Sequence, residues 1–213
     1  HVYGHHKNVG ITQEDPVTAQ ANENPIFFAI KAFFREHTHA WSIESKQLKR
    51  RKHNIISFHN RLLVGYIRTA LIFYLIYAVF GPFSLLLYFL VGMAANYIFQ
   101  MTNFVEHYGL VRIKGRPILH HHSWNSNNRT TTYLTYNLTR HSDHHVNPKK
   151  EFWELDPCLD DGISLPSGYL TYITLFTFAP FIARQKMHPR LKRWYFEYAS
   201  SEERALTENY KNF

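Results

Sequence analysis

Residues 62–105 read LLVGYIRTALIFYLIYAVFGPFSLLLYFLVGMAANYIFQMTNFV, and Arg68 is the only charge in the run. Gly81-Pro82 breaks it near the middle. The second part, residues 83–105, makes about 34 Å of helix at about 1.5 Å per residue, enough for a hydrocarbon core of about 30 Å. The first part, residues 62–80, is slightly shorter but adequate. A Gly-Pro turn between two spans predicts a helical hairpin that enters and leaves on one side. A buried hairpin of a soluble core is the weaker alternative, because so long a run would carry more charge. The predicted fold class is therefore all-α, an integral membrane helical protein.

The flanks set an orientation. KQLKRRKHN (residues 46–54) precedes the hairpin and VRIKGR follows it. The positive-inside rule then places both ends, with the histidines beside them, in the cytoplasm. The single cysteine, Cys158, excludes an intramolecular disulfide and a cysteine metal cage. A formal charge of +8 permits nucleic acid, anionic lipid or an acidic protein as partner. The basic residues border membrane segments and no binding module is visible, so nucleic acid is not an expected partner.

Other segments read as membrane-associated without spanning. NPIFFAIKAFFREHTHAWSI mixes aromatic and basic residues, as an interfacial helix does. GYLTYITLFTFAPFIA (residues 168–183) is apolar, short and interrupted by Pro180. RLKRWYFEYASSEERALTEN reads as one surface helix. With no repeat or clear linker, one domain suffices. Two sequons, at Asn128 and Asn137, read as chance matches.

The second membrane helix carries a polar stripe. Asn96, Gln100, Asn103 and His107 recur at spacings of four, three and four, and at about 100° per residue they share one narrow face. Polar groups in a membrane helix are costly and mark either interhelical hydrogen bonds or a functional site. This stripe ends at Glu106-His107, where a site would sit.

The chain has 15 histidines. In HSDHH, His141, His144 and His145 fall at i, i+3 and i+4, one face of a helix. In HVYGHH, His1, His5 and His6 span a wider arc. Neutral imidazole suits iron, zinc, copper and nickel. Seven histidines, counting His107, exceed what one ion of about four to six ligands needs, so two metals are the economical reading. His120, His121 and His122 read as a loop near the site, with one of them a weaker ligand candidate. Asp143 is placed to orient a ring N–H, and Glu106 either does the same or faces solvent. Isolated histidines elsewhere read as surface residues, and Trp124 and Tyr133 as packing.

These segments carry a resemblance. HVYGHHKNVGITQEDPVTAQANE, NFVEHYGLVR, HHSWNSNN, LTRHSDHHVNP and LPSGY resemble, in order, the membrane-bound alkane 1-monooxygenases, within the wider membrane desaturase–hydroxylase group. The EHYG box is the more diagnostic, since HxxHH is shared across that group. The resemblance implies a desaturase-like helical bundle with two iron ions held by His1, His5, His6, His107, His141, His144 and His145. Asp143, Glu106, Asn96, Gln100 and Asn103 are then supporting residues around the ligands. It implies O2-dependent hydroxylation of the terminal methyl of medium- to long-chain n-alkanes, with electrons from rubredoxin and its NAD(P)H-dependent reductase. The family's HExxHK box and earlier helices would precede His1. Residues 1–213 would thus be the C-terminal part of a single membrane domain, unable to work alone. Alternatives on the same scaffold are methyl-aromatic or fatty-acyl hydroxylation and desaturation. A non-catalytic membrane metal-binding or transport protein is the reading from another class.

Overall fold

The computed structural model describes residues 2–213, and His1 lies outside them. The chain divides into two compact units, His1–Ala32 with Gln100–Phe213, and Phe33–Phe99.

In chain order the helices are α1 (His5–Asn8), α2 (Pro25–Arg50), α3 (Arg61–His107), α4 (Arg129–Leu134), α5 (His141–Val146), α6 (Tyr169–Phe178), α7 (Pro180–Glu197) and α8 (Ser201–Leu206). Two short strands, β1 (Trp124–Asn125) and β2 (Ile163–Ser164), pair in parallel. The fold is overwhelmingly helical, as the sequence predicts.

The second unit holds the rest of α2 after Ala32 and most of α3. Asn60 caps the start of α3, its Oδ1 accepting from the backbone N–H of Leu62 and Leu63 at 3.0 and 3.1 Å. Buried Glu44 receives the guanidinium of Arg61 at 2.7 Å, tying α2 to this start. Inside α3, Gly81 breaks the helix at φ 80° and ψ 178°, backbone that a residue with a Cβ strongly avoids. Pro82 follows and cannot donate to a preceding turn. The chain folds back there, because the rings of Phe73 and Tyr88 meet at 5.6 Å. On one straight helix those residues would lie about 22 Å apart. The predicted hairpin is therefore present, with arms of residues 61–80 and 82–107. At about 30 and 39 Å both arms can cross a bilayer core. The most apolar stretch has a mean hydropathy of 2.2 and buries none of itself within the protein. Tyr74, Val79, Phe83 and Val91 are each about two-thirds exposed. Such a surface is stable only in a non-aqueous medium, and this is a membrane protein.

The first unit has an aromatic core. Phe104 packs against Phe28, Phe176 and Tyr108 at ring separations of 4.8–5.3 Å. Buried indoles find acceptors, Trp124 Nε1 donating to the Tyr108 carbonyl at 2.8 Å and Trp194 Nε1 to the His121 carbonyl at 2.9 Å. Gly109 ends α3 at φ 72°, with Leu191 so close that an added Cβ would sit 2.9 Å from its Cδ1. This accounts for a glycine directly after Glu106-His107-Tyr108.

The C-terminal reading needs correction. Residues 190–209 are not one surface helix. α7 buries Met187, Leu191 and Trp194 and ends at Glu197. Ser200 then starts α8 through a reciprocal cap with Glu203, Ser200 N to Glu203 Oε2 at 2.8 Å and Glu203 N to Ser200 Oγ at 3.3 Å. The Ser-Ser-Glu-Glu stretch contained that cap signal. Residues 168–183 likewise split at Ala179 into α6 and the start of α7, leaving an α6 far too short to span. Asn128 and Asn137 serve structure: one caps α4, and the other donates to the Phe152 carbonyl at 2.9 Å.

Candidate metal centre

The ligand-type side chains converge within the first unit, on three helices far apart in sequence. α5 has the predicted helical face, and its two buried imidazoles lie side by side, His145 Nε2 to His141 Nε2 at 2.8 Å. The last turn of α3 brings His107 Nε2 to 3.2 Å from His141 Nε2. The short α1 adds His5, whose ring lies 4.7 Å from that of His107 and 4.8 Å from that of His145. One nitrogen from each of His5, His107, His141 and His145 falls within a 4.8 Å group, and all four residues are buried. His6 and His144 form the outer part of the cluster. Their rings are 4.8 Å apart, and His6 lies 4.9 Å from His145. Six of the seven predicted histidines thus meet, and the seventh, His1, lies outside the described residues.

Burial keeps these rings neutral. It pulls His5 down to about 3, helped by nearby His144, and His6 down to about 4 with His144 and His5 adding repulsion. His141 and His145 lie well below the usual histidine range for the same reason, each also repelled by its neighbours. Neutral imidazole is the metal-binding form.

The donor set fits a metal. Ligands on one ion at about 2.1 Å stand about 3.0 Å apart in octahedral and about 3.4 Å apart in tetrahedral geometry. The spacings of 2.8 and 3.2 Å lie close to these ligand–ligand distances. The Nε2 atoms of three buried rings converge on one focus, and at His107, His141 and His145 the opposite Nδ1 has no hydrogen-bond partner among the described residues. An ion at the focus would take a lone pair from each Nε2.

Asp15, which the sequence reading passed over, holds His5. Its carboxylate oxygens accept from His5 Nδ1 at 2.9 and 3.0 Å, and it is itself held by Thr18 Oγ1 at 2.6 Å and Val17 N at 3.2 Å. With the proton on Nδ1, His5 presents the Nε2 lone pair. Its only sequence signal was an Asp-Pro step ten residues after His5. Arg112 anchors the same helix from below: Nη2 and Nε donate to the carbonyls of Lys7 and Val9 at 2.9 and 2.7 Å. Arg112 is buried, while Lys114 pairs with Glu14 and Arg116 with Glu202. In the second basic flank, therefore, Arg112 is an internal anchor, while Lys114 and Arg116 stay at the surface in ion pairs.

The supporting residues fall in different places. Glu106 is buried with Oε2 3.4 Å from His141 Nε2. Gln100 and Asn103 are buried along α3 and hydrogen-bonded to each other at 3.4 Å, whereas Asn96 is half-buried and belongs to the second unit. Asp143 turns away from the cluster, toward Asn147, Lys150 and the backbone N–H of Asp156 at 2.6–2.8 Å. The ring it faces is His120, at 3.7 Å. His122 is satisfied on both nitrogens, accepting from Leu119 N at 2.9 Å and bonding Glu203 at 3.0 Å.

Comparison with known proteins agrees with this geometry. Residues 1–176 match the family model described as fatty acid desaturase. The chain is 34% identical over 203 residues to an alkane 1-monooxygenase of Ectopseudomonas oleovorans, covering 91% of this chain and 49% of the relative. It is 35% identical over 206 residues to one of Pseudomonas putida, with the same coverage. A xylene/toluene monooxygenase hydroxylase component of Pseudomonas putida matches at 28% over 207 residues, 97% of this chain and 55% of the relative. The chain spans about half the length of the curated relatives it matches. With a helical membrane fold, a buried histidine cluster and this match over most of its length, the chain belongs to the fatty acid desaturase family and is a homologue of the alkane 1-monooxygenases.

Proposed function

We propose that this chain supplies ligands and scaffold for an O2-dependent hydroxylase that converts the terminal methyl of medium- to long-chain n-alkanes to primary alcohols. The observation that carries it is the convergence of buried His5, His107, His141 and His145, with His6 and His144 beside them, in a homologue of alkane 1-monooxygenases. The ligand set is His1, His5, His6, His107, His141, His144 and His145, holding two iron ions. An inner group of four and an outer pair support two ions over one.

An unactivated methyl offers no proton, leaving group or polar handle, so side chains alone cannot oxidise it. Bound iron supplies the redox chemistry for O2 and the C–H bond. The chain's own residues prepare that site. Burial keeps the imidazoles neutral, Asp15 fixes the tautomer of His5, and Glu106 lies beside His141 to offset cationic charge. The apolar arms of α3 suit a substrate that partitions into lipid, and His107 is the last residue of that helix.

Electrons come from rubredoxin and its NAD(P)H-dependent reductase, and the metal site faces the cytoplasm. Lys49, Arg50, Arg51 and Lys52 remain exposed and suit an acidic donor, or anionic lipid beside the hairpin. The match to a xylene/toluene monooxygenase component favours one second reading, hydroxylation of a methyl-aromatic compound.

The test joins this chain to the N-terminal part of a related alkane hydroxylase, co-expressed with rubredoxin and its reductase. Conversion of n-octane and of toluene is followed by gas chromatography with NADH. Iron-dependent 1-octanol, absent in His144→Ala, is the expected result. Benzyl alcohol without octanol would replace the substrate assignment. A folded, iron-loaded protein yielding neither would sink both.

A further inference from the structure

A second group of ligand-type side chains stands apart from the histidine cluster. His120, Asp143 and Cys158 bring one nitrogen, one carboxylate oxygen and Sγ within 4.8 Å of one another. At about 100° per residue, Asp143 lies on the side of α5 away from His141, His144 and His145. His120 opens a short 3-10 turn, and Cys158 lies on the loop before β2.

Each donor atom is prepared. Asp161 Oδ2 accepts from His120 Nδ1 at 2.6 Å, which places the proton there and leaves a lone pair on Nε2. That Nε2 is buried and has no hydrogen-bond partner among the described residues. It lies 3.7 Å from an oxygen of Asp143, too far for a hydrogen bond but within reach of two ligands on one ion. Among the described residues the facing oxygen, Oδ1, accepts from Asn147 Nδ2 alone, while Oδ2 takes Lys150 and the N–H of Asp156. Oδ1 thus keeps a lone pair to offer. Cys158 Sγ makes a long contact, 3.5 Å to the Asp156 carbonyl, and lies beside the Ser142 hydroxyl. The His120 side chain is 22% exposed, which leaves a path for an ion to enter.

We propose that His120 Nε2, Asp143 Oδ1 and Cys158 Sγ form a mononuclear site for a divalent ion of the zinc class, separate from the histidine cluster. Mixed nitrogen, oxygen and sulfur donors suit such a borderline-soft ion, with solvent completing the coordination. Binding takes the thiol proton from Cys158 into solvent and yields a thiolate ligand. The ion would staple the loop around residues 156–161 to α5, so its role is structural.

Cobalt(II) titration of the purified full-length protein tests this, because the chain holds a single cysteine and imidazole ligands give no thiolate–cobalt charge-transfer band. Once cobalt saturates the protein, a near-ultraviolet band with the amplitude of one thiolate–cobalt centre per chain is expected. It should vanish in Cys158→Ser and survive in His145→Ala. Asp161→Asn, at an exposed position, should weaken cobalt affinity by about tenfold while leaving the fold intact. No band in folded wild-type protein would overturn the site, as would a band that persists in Cys158→Ser. A band lost in His145→Ala would assign the thiolate to the histidine cluster and overturn the separation.

Discussion

Asp15 holds the imidazole of His5 through both carboxylate oxygens, at 2.9 and 3.0 Å from Nδ1, with both side chains buried. The carboxylate thereby decides which ring nitrogen His5 offers. Asp15→Ala should lower metal affinity by about 10- to 100-fold, read as iron retained against a graded chelator. Unchanged retention would mean that packing alone orients the ring.

Two histidine groups should respond differently to truncation. His145→Ala removes a ring from the focus of the cluster, so iron content should drop while the helical fold persists. His122→Ala breaks the buried contact with Glu203 at 3.0 Å and leaves Oε1 of that carboxylate without this partner, Oε2 keeping Ser200. It should cost about 2 kcal/mol of stability and keep the metal. Metal analysis beside thermal unfolding separates the two, and loss of metal in His122→Ala would add that residue to the ligand set.

Glu203 gives a pH dependence with a defined sign. Burial works to raise its carboxyl, but the bonds from His122 and Ser200 outweigh it and hold the group down to about 2. The unfolded value is about 4.3. Its stabilisation is therefore complete above about pH 4.3 and lost as pH falls through that range toward 2. Glu203→Gln should lower stability at pH 6 and narrow the gap to wild type near pH 3, measured by denaturant unfolding. A constant gap across that range would contradict the linkage.

The two turn glycines predict unequal costs. Gly81 and Gly109 both have positive φ, but nothing lies within 4 Å of a Cβ at Gly81. At Gly109 a Cβ would meet Leu191 at 2.9 and 3.0 Å and the Tyr210 hydroxyl at 3.2 Å. Gly81→Ala should cost about 1 kcal/mol and Gly109→Ala about 2–3 kcal/mol, because overpacking adds to backbone strain. Unfolding in graded denaturing detergent would rank them, and equal costs would show that Leu191 yields freely.

The sequence by itself determined what depends on neighbours along the chain. Hydropathy and Gly81-Pro82 set the hairpin, since crossing a bilayer is a matter of length and apolarity. Helical spacing put His141 and His145 on one face of α5, since 3.6 residues per turn is a local rule. Tertiary structure decided which groups meet. Arg112 grips carbonyls more than a hundred positions earlier, which turned an apparent surface charge into an internal anchor. His122, in a run as histidine-rich as any, was drawn to Glu203, whereas His5 was drawn to the cluster and fixed there by Asp15. No periodicity encodes such pairings, because they follow from burial: a polar group removed from water must find a partner wherever the packing brings one.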